Sequence, residues 1–176
     1  KFDEAILYSL DNTIKYNVIP TSWSYGIQVM GNNNKINKNN ITGAYRGISV
    51  SGGYNNITNN NIVGITGADY NNREEVVGGD FGIVGGSNAY IYKNVISNAK
   101  IISSGAGISA SANSIIDSNK ITVVSKGMGI NAAGSKINIK NNIISTEKGV
   151  GVYQKEEASG LTITGNTIET GTGIPI

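Results

Sequence analysis

Four carboxylates fall in one short stretch of the chain: Asp69, Glu74, Glu75 and Asp80. Tyr70, Asn71, Asn72 and Arg73 stand among them. Carboxylate and amide oxygens are hard ligands, so this stretch has the donors for a cation such as Ca2+. The spacing fits no EF-hand loop, however, and Ca2+ is the one candidate ion in a chain otherwise expected to carry no cofactor. A second chemistry is acid–base work on a uronate polymer, which would draw on Asp69, Arg73, Glu74 or Asp80. The plainer reading is a solvated loop, or one that docks a partner, because long loops on regular scaffolds carry binding residues.

Aromatic residues give a further candidate surface. Trp23, Tyr25, Tyr45 and Phe81 each fall just before a Gly-Ile or equivalent step. Rings from adjacent turns of a repeat, set beside amides, can stack on sugar rings or on protein side chains. The plainer reading is that they pack loops against the body. With Asp69, Tyr70 and Arg73 they make up the expected ligand-binding set.

Several chemistries are closed off. The chain has no His and no Cys, which removes imidazole bases, thiol nucleophiles and the usual zinc sites. No catalytic residue is assigned, and the expectation is that this segment is not an enzyme. The 14 cationic and 12 acidic residues leave a net charge of +2, giving no reason to expect nucleic acid as a partner. No apolar run approaches the roughly 20 residues needed to span a bilayer, so membrane insertion by this segment is not expected.

What positions these residues is a repeat. The pattern Ile-x-x-Asn-x-Ile centres on Asn17, Asn39, Asn60, Asn94, Asn119, Asn142 and Asn166. Its steps are 21–25 residues, apart from a 34-residue step between Asn60 and Asn94. A second pattern, Gly-Ile followed by alternating residues, keeps register with it at Gly26, Gly47, Gly82, Gly107 and Gly129. Alternation without a helical face reads as short strands and turns. About 22 residues at about 3.3 Å each give a path of roughly 70 Å, which suits one circuit of a three-sided coil. The chain is therefore expected to be all-β: a right-handed, single-stranded parallel β-helix of about seven coils. The Ile residues should form internal columns and the seven Asn residues an internal ladder. Each Gly should mark a corner. Residues 1–176 form one domain, with 63–81 as an inserted loop.

These repeats resemble those of pectate-lyase-like right-handed parallel β-helix proteins. The Asn-rich, Ile-rich, Cys-free style also resembles the adhesin-like surface proteins of methanogenic archaea. The resemblance implies the fold over essentially the whole chain, but one fold serves lyases, epimerases, hydrolases, tailspikes and adhesins. No catalytic motif of these families is matched.

Outward positions beside each Ile column allow a direct check for a catalytic face. They read Gln28, Ser49, Val84, Ser109, Asn131, Tyr153 and Pro175; then Lys15, Asn37, Thr58, Tyr92, Asp117, Lys140 and Thr164; then Thr42, Val63, Ser97, Thr122, Ser145 and Glu169. No paired carboxylates arise. The expected function is an adhesin-like, extracellular cell-surface segment that attaches to a glycan or protein of another cell. A polysaccharide lyase or epimerase and a purely structural stalk are the alternatives. Asn40-Ile41-Thr42 and Asn56-Ile57-Thr58 match the N-glycosylation sequon and suit a surface protein. The chain is expected to continue in both directions in a longer protein, and open strand edges are expected to favour end-to-end self-association.

Overall fold

A computed structural model describes residues 5–8, 11–20, 25–65, 80–101 and 104–176. The strands form three parallel sheets of seven strands each. The first sheet stacks Ala5–Tyr8, Tyr25–Met30, Arg46–Val50, Phe81–Gly85, Ala106–Ala110, Met128–Ala132 and Val152–Gln154. The second stacks Thr13–Lys15, Lys35–Asn37, Asn56–Thr58, Tyr90–Tyr92, Ile115–Asp117, Asn138–Lys140 and Thr162–Thr164. The third stacks Val18–Ile19, Asn40–Thr42, Asn61–Val63, Val95–Ala99, Lys120–Val123, Ile143–Thr146 and Thr167–Thr170. The chain visits the sheets in rotation, one strand in each, so every coil lies on the one before it. This is a parallel β-solenoid, as the period requires.

Register follows the apolar columns. Ile36 pairs with Ile57, which pairs with Ile91, then Ile116 and Ile139. Ile41, Ile62, Ile96, Ile121 and Ile144 do the same in the third sheet, and Ile27, Ile48, Ile83, Ile108 and Ile130 in the first. All of these are fully buried. Each contributes about 1.5–3 kcal/mol of burial, and a one-residue slip would turn a whole column out to solvent. That penalty locks the register.

The Asn ladder forms where the second sheet turns into the third. At every rung an Asn amide group donates to the Oδ1 of the next Asn: Asn39 Nδ2 to Asn60 at 2.9 Å, Asn94 Nδ2 to Asn119 at 3.0 Å, Asn142 Nδ2 to Asn166 at 2.9 Å. The backbone N–H of each donor residue reaches the same oxygen, as from Asn94 to Asn119 at 2.9 Å. From Asn39 onward each Nδ2 also donates to the carbonyl of an Ile in the preceding coil, such as Asn94 to Ile57 at 2.8 Å. The residue before each ladder Asn is left-handed, including Lys38 at φ 55° and Lys93 at φ 53°. Such a conformation costs a non-glycine residue about 1–2 kcal/mol, and the ladder hydrogen bonds hold it in place. A shorter ladder, unmarked in the repeat, joins Asn12, Asn34 and Asn55 where the first sheet turns into the second.

The glycines before each Ile differ from the expectation. They are not corners. Gly47, Gly82, Gly107 and Gly129 lie inside first-sheet strands. A Cβ on Gly47 would stand 2.3 Å from the Gly82 carbonyl oxygen and 2.8 Å from Ile62 Cγ2. The interior is too narrow there for any side chain, so close packing selects Gly, not turn geometry. The inserted segment also begins and ends differently. Val63 closes a third-sheet strand, Ile65 is still core, and Phe81 opens a first-sheet strand.

Candidate functional site

The first-sheet strands begin with a row of large side chains. Tyr25 pairs with Arg46, and Phe81 pairs with Ala106. Because Ile48 pairs with Ile83, Arg46 and Phe81 occupy matching positions two residues earlier. Tyr25, Arg46 and Phe81 thus start three successive strands of the sheet, at a coil spacing of about 4.8 Å. All three are half-buried.

Arg46 is the centre of the group. Its Nη1 donates to the Tyr25 hydroxyl at 2.6 Å. Its guanidinium lies 5.3 Å from the Tyr25 ring centroid and 5.6 Å from that of Tyr45. A guanidinium held between ring faces in this way is fixed in direction, and its remaining N–H groups have a defined aim. Its Nε is buried without a hydrogen-bond partner among the described residues.

Asp80 lies just before Phe81 and is fully buried. Among the described residues the Tyr45 hydroxyl is the donor that approaches its carboxylate, and neither oxygen forms a close hydrogen bond. Burial pushes its carboxyl above the usual carboxylate range, against the opposing pull of the Tyr45 hydroxyl and the Arg46 charge. Its backbone carbonyl accepts from Ala106 N–H at 3.1 Å. A Cβ on Gly105 would come within 2.2 Å of that oxygen, so only Gly fits there.

Of the residues picked from sequence, Tyr25, Tyr45 and Phe81 do come together. Tyr45 sits one residue earlier than the Tyr25 row and is level with Asp80. Trp23, Asp69, Tyr70, Arg73, Glu74 and Glu75 lie outside the described residues. Asp80 alone of the four candidate cation ligands is described, and among the described residues no three acidic groups gather. Arg46 is not aromatic, so it does not stand out in the sequence beside Trp23, Tyr25, Tyr45 and Phe81. Its place two residues before Ile48, matching Tyr25 before Ile27, was the available signal.

A shallow groove of about 470 Å3 lies nearby on the same flank, lined by Asn32, Ser49, Ser51, Gly53 and Ser87 among others. Its polar groups are hydroxyls and amides, which hydrogen-bond but do not exchange protons near neutral pH. Of the two sequons, Asn40 is exposed, and its Oδ1 accepts from Asn61 Nδ2 at 2.9 Å. Asn56 is half-buried, with its Oδ1 shut away from solvent. No described helix is long and apolar enough to cross a membrane.

The sequence of residues 69–176 matches the family described as right handed beta helix region. The chain belongs to that family. No curated protein matches the chain in sequence. Among solved structures, an alginate lyase from Paenibacillus sp. str. FPU-7 aligns over 98% of this chain and 92% of its own, with 14% identity and a TM-score of 0.30. A likeness that distant carries no argument about the activity of this right-handed β-helix.

Proposed function

We propose that this β-helix is an attachment segment of an extracellular, cell-surface protein, and that it binds a glycan or a protein on another cell without chemical turnover. The observation that carries this reading is the Arg46 guanidinium fixed between Tyr25 and Tyr45, with Phe81 next in the row. Flat rings beside a directed cation favour stacking and hydrogen bonding over bond breaking. Arg and Tyr are also the residues that dominate binding energy at interfaces. The lyase alternative would need an accessible acid or base. Asp80, the described member of its candidate set, is fully buried and does not reach a polymer on the surface.

The test is a glycan and cell-surface binding screen, run with Ca2+ and with chelator. Wild-type segment is compared with Arg46→Ala, with Tyr25→Ala/Tyr45→Ala, and with a form lacking residues 66–79, which keeps the buried Ile65 and Asp80. The same glycans are then checked for chain cleavage. Saturable binding that weakens in the Arg46 and tyrosine variants, with glycans left intact, is the expected result. Cleavage of a polymer by the wild-type segment would overturn the reading.

A further inference from the structure

The second sheet carries most of the molecule's imbalance of charge. Lys15, Lys35 and Lys140 lie on its strands, and Lys38, Lys93 and Lys136 in the turns along its two edges. Five of these are exposed and Lys140 is half-buried. Among the described residues, the acids on the same face and edges are Asp11 and Asp117. Six ammonium groups against two carboxylates give this face +4, whereas the whole chain is +2, so all the remaining residues together sum to −2. The modest total hides a segregated charge.

One of the two acids is already engaged. Asp117 Oδ2 is 3.5 Å from Lys140 Nζ, and its Oδ1 accepts from Ser118 Oγ at 2.8 Å and Asn141 Nδ2 at 3.2 Å. Lys15, Lys35, Lys38 and Lys93 have no carboxylate within ion-pair distance among the described residues. Tyrosine rings line the same track. Tyr90 and Tyr92 stack with centroids 5.3 Å apart and planes 16° apart. Tyr16 and Tyr54, on opposite edges, are 64% and 66% exposed. The ammonium groups of Lys38 and Lys93 sit 5.5 Å and 4.9 Å from the Tyr16 and Tyr92 ring centroids.

We propose that this face is a docking track for a linear acidic polysaccharide, lying across the coils along the rod. From Lys15 in the first coil to Lys140 in the sixth is five coil steps, or about 24 Å at strand spacing. The track therefore presents about one net positive charge per 6 Å. That density suits a polymer with a single carboxylate or sulfate on each ring, whose flat ring faces the tyrosines can cover. Duplex DNA carries one charge per about 1.7 Å and is better matched by arginine forks, which this face lacks. The proposal deepens the attachment reading and rests on it for the ligand being a glycan. It occupies a different sheet from the Arg46 group, so the two can fail separately.

The test measures retention of the segment on an immobilised polyuronate, a sulfated polysaccharide, a neutral glucan and single-stranded DNA, at low and moderate salt. A face variant, Lys15→Gln/Lys35→Gln/Lys38→Gln/Lys93→Gln, is compared with a control in which Lys126→Gln/Lys148→Gln/Lys155→Gln removes charge elsewhere. Thermal melting verifies that both remain folded. Acidic-polysaccharide binding that falls roughly tenfold or more in the face variant, with a shallower salt dependence and no such loss in the control, is expected. Arg46→Ala should retain it. Equal loss in both lysine variants, stronger retention on DNA, or no retention on either acidic polymer would overturn the track. If the wild-type segment in that last case still binds cells or neutral glycans, the attachment reading survives without it.

Discussion

Asn60 Nδ2 lies 3.0 Å from Asn94 Oδ1, although the two residues are 34 positions apart. The neighbouring rungs, separated by 21 and 25 residues, measure 2.9 Å and 3.0 Å. The extra length of the insertion is thus absorbed without stretching the stack. A coil can carry a long excursion because each coil answers only to its two neighbours.

That rung gives the first prediction. Asn94→Ala removes the acceptor of Asn60 N–H and Nδ2, and the donor to Ile57 and Asn119, all buried. Unpaired buried groups cost about 1–3 kcal/mol each, so a loss of about 3–5 kcal/mol is expected in denaturant unfolding. Asn17→Ala, at an exposed rung, should cost less than about 1 kcal/mol. Equal costs would mean that the ladder's burial does not matter.

The strand glycines give the second. In Gly47→Ala the new methyl meets backbone at 2.3 Å, which has no flexible end to move aside. We expect a loss of about 3 kcal/mol or more, or failure to fold. Gly53→Ala meets its nearest neighbour, the Ser87 carbonyl oxygen, at 3.3 Å, which a shift of a few tenths of an ångström relieves, so it should cost much less. Thermal melting of the pair checks the contrast.

Asp80 gives a pH dependence. Its folded carboxyl is held above the ordinary value of 3.8 by burial, so the folded state takes up a proton more readily than the unfolded state. Its contribution is fully present below that value and is lost as pH rises through the folded pKa. Asp80→Asn should therefore be more stable than wild type at neutral pH, and its stability should vary less with pH above 4. Melting curves from pH 3 to pH 8 measure this. A variant less stable at pH 7 would show that the charged form is the one the fold needs.

Asp117 should behave in the opposite sense. Burial disfavours its charge, but the Ser118 hydroxyl, the Asn141 amide and the Lys140 ammonium together outweigh it and lower the carboxyl below 3.8. Its stabilisation is present above that value and is lost as pH falls through the folded pKa. Asp117→Asn should lower the melting temperature at neutral pH and remove part of the wild type's acid sensitivity. High salt should narrow the difference, since Lys140 is partly exposed.

Much of this was legible in the residues. Asn39 and Asn119 marked a turn because their spacing matched one circuit of a coil, and Ile41 and Ile121 marked an inward column because Ile at a fixed phase has no other place to go. The outward residues read from that phase, such as Tyr92, Asp117 and Lys140, pair in the expected register. Gly47 misled because sequence cannot separate a glycine needed for a turn from one needed for close approach. Both look like a bare Gly before a strand residue.

The sequence alone determined the architecture, since a two-residue alternation repeated at a constant period leaves a single way to bury the Ile columns that recur at fixed phase, while off-phase residues such as Ile115 and Ile143 stay exposed. It did not determine which side chains meet. Arg46 and Tyr25 stand 21 residues apart and Lys38 and Lys93 55 apart; the repeat gives the members of each pair the same phase, but not the contacts their side chains make. Stacking brought the first two within 2.6 Å and gathered six lysines along one sheet. Periodicity fixes the phase of each residue within its coil. Charge and contact depend on sums across coils, and only the folded stack performs those sums.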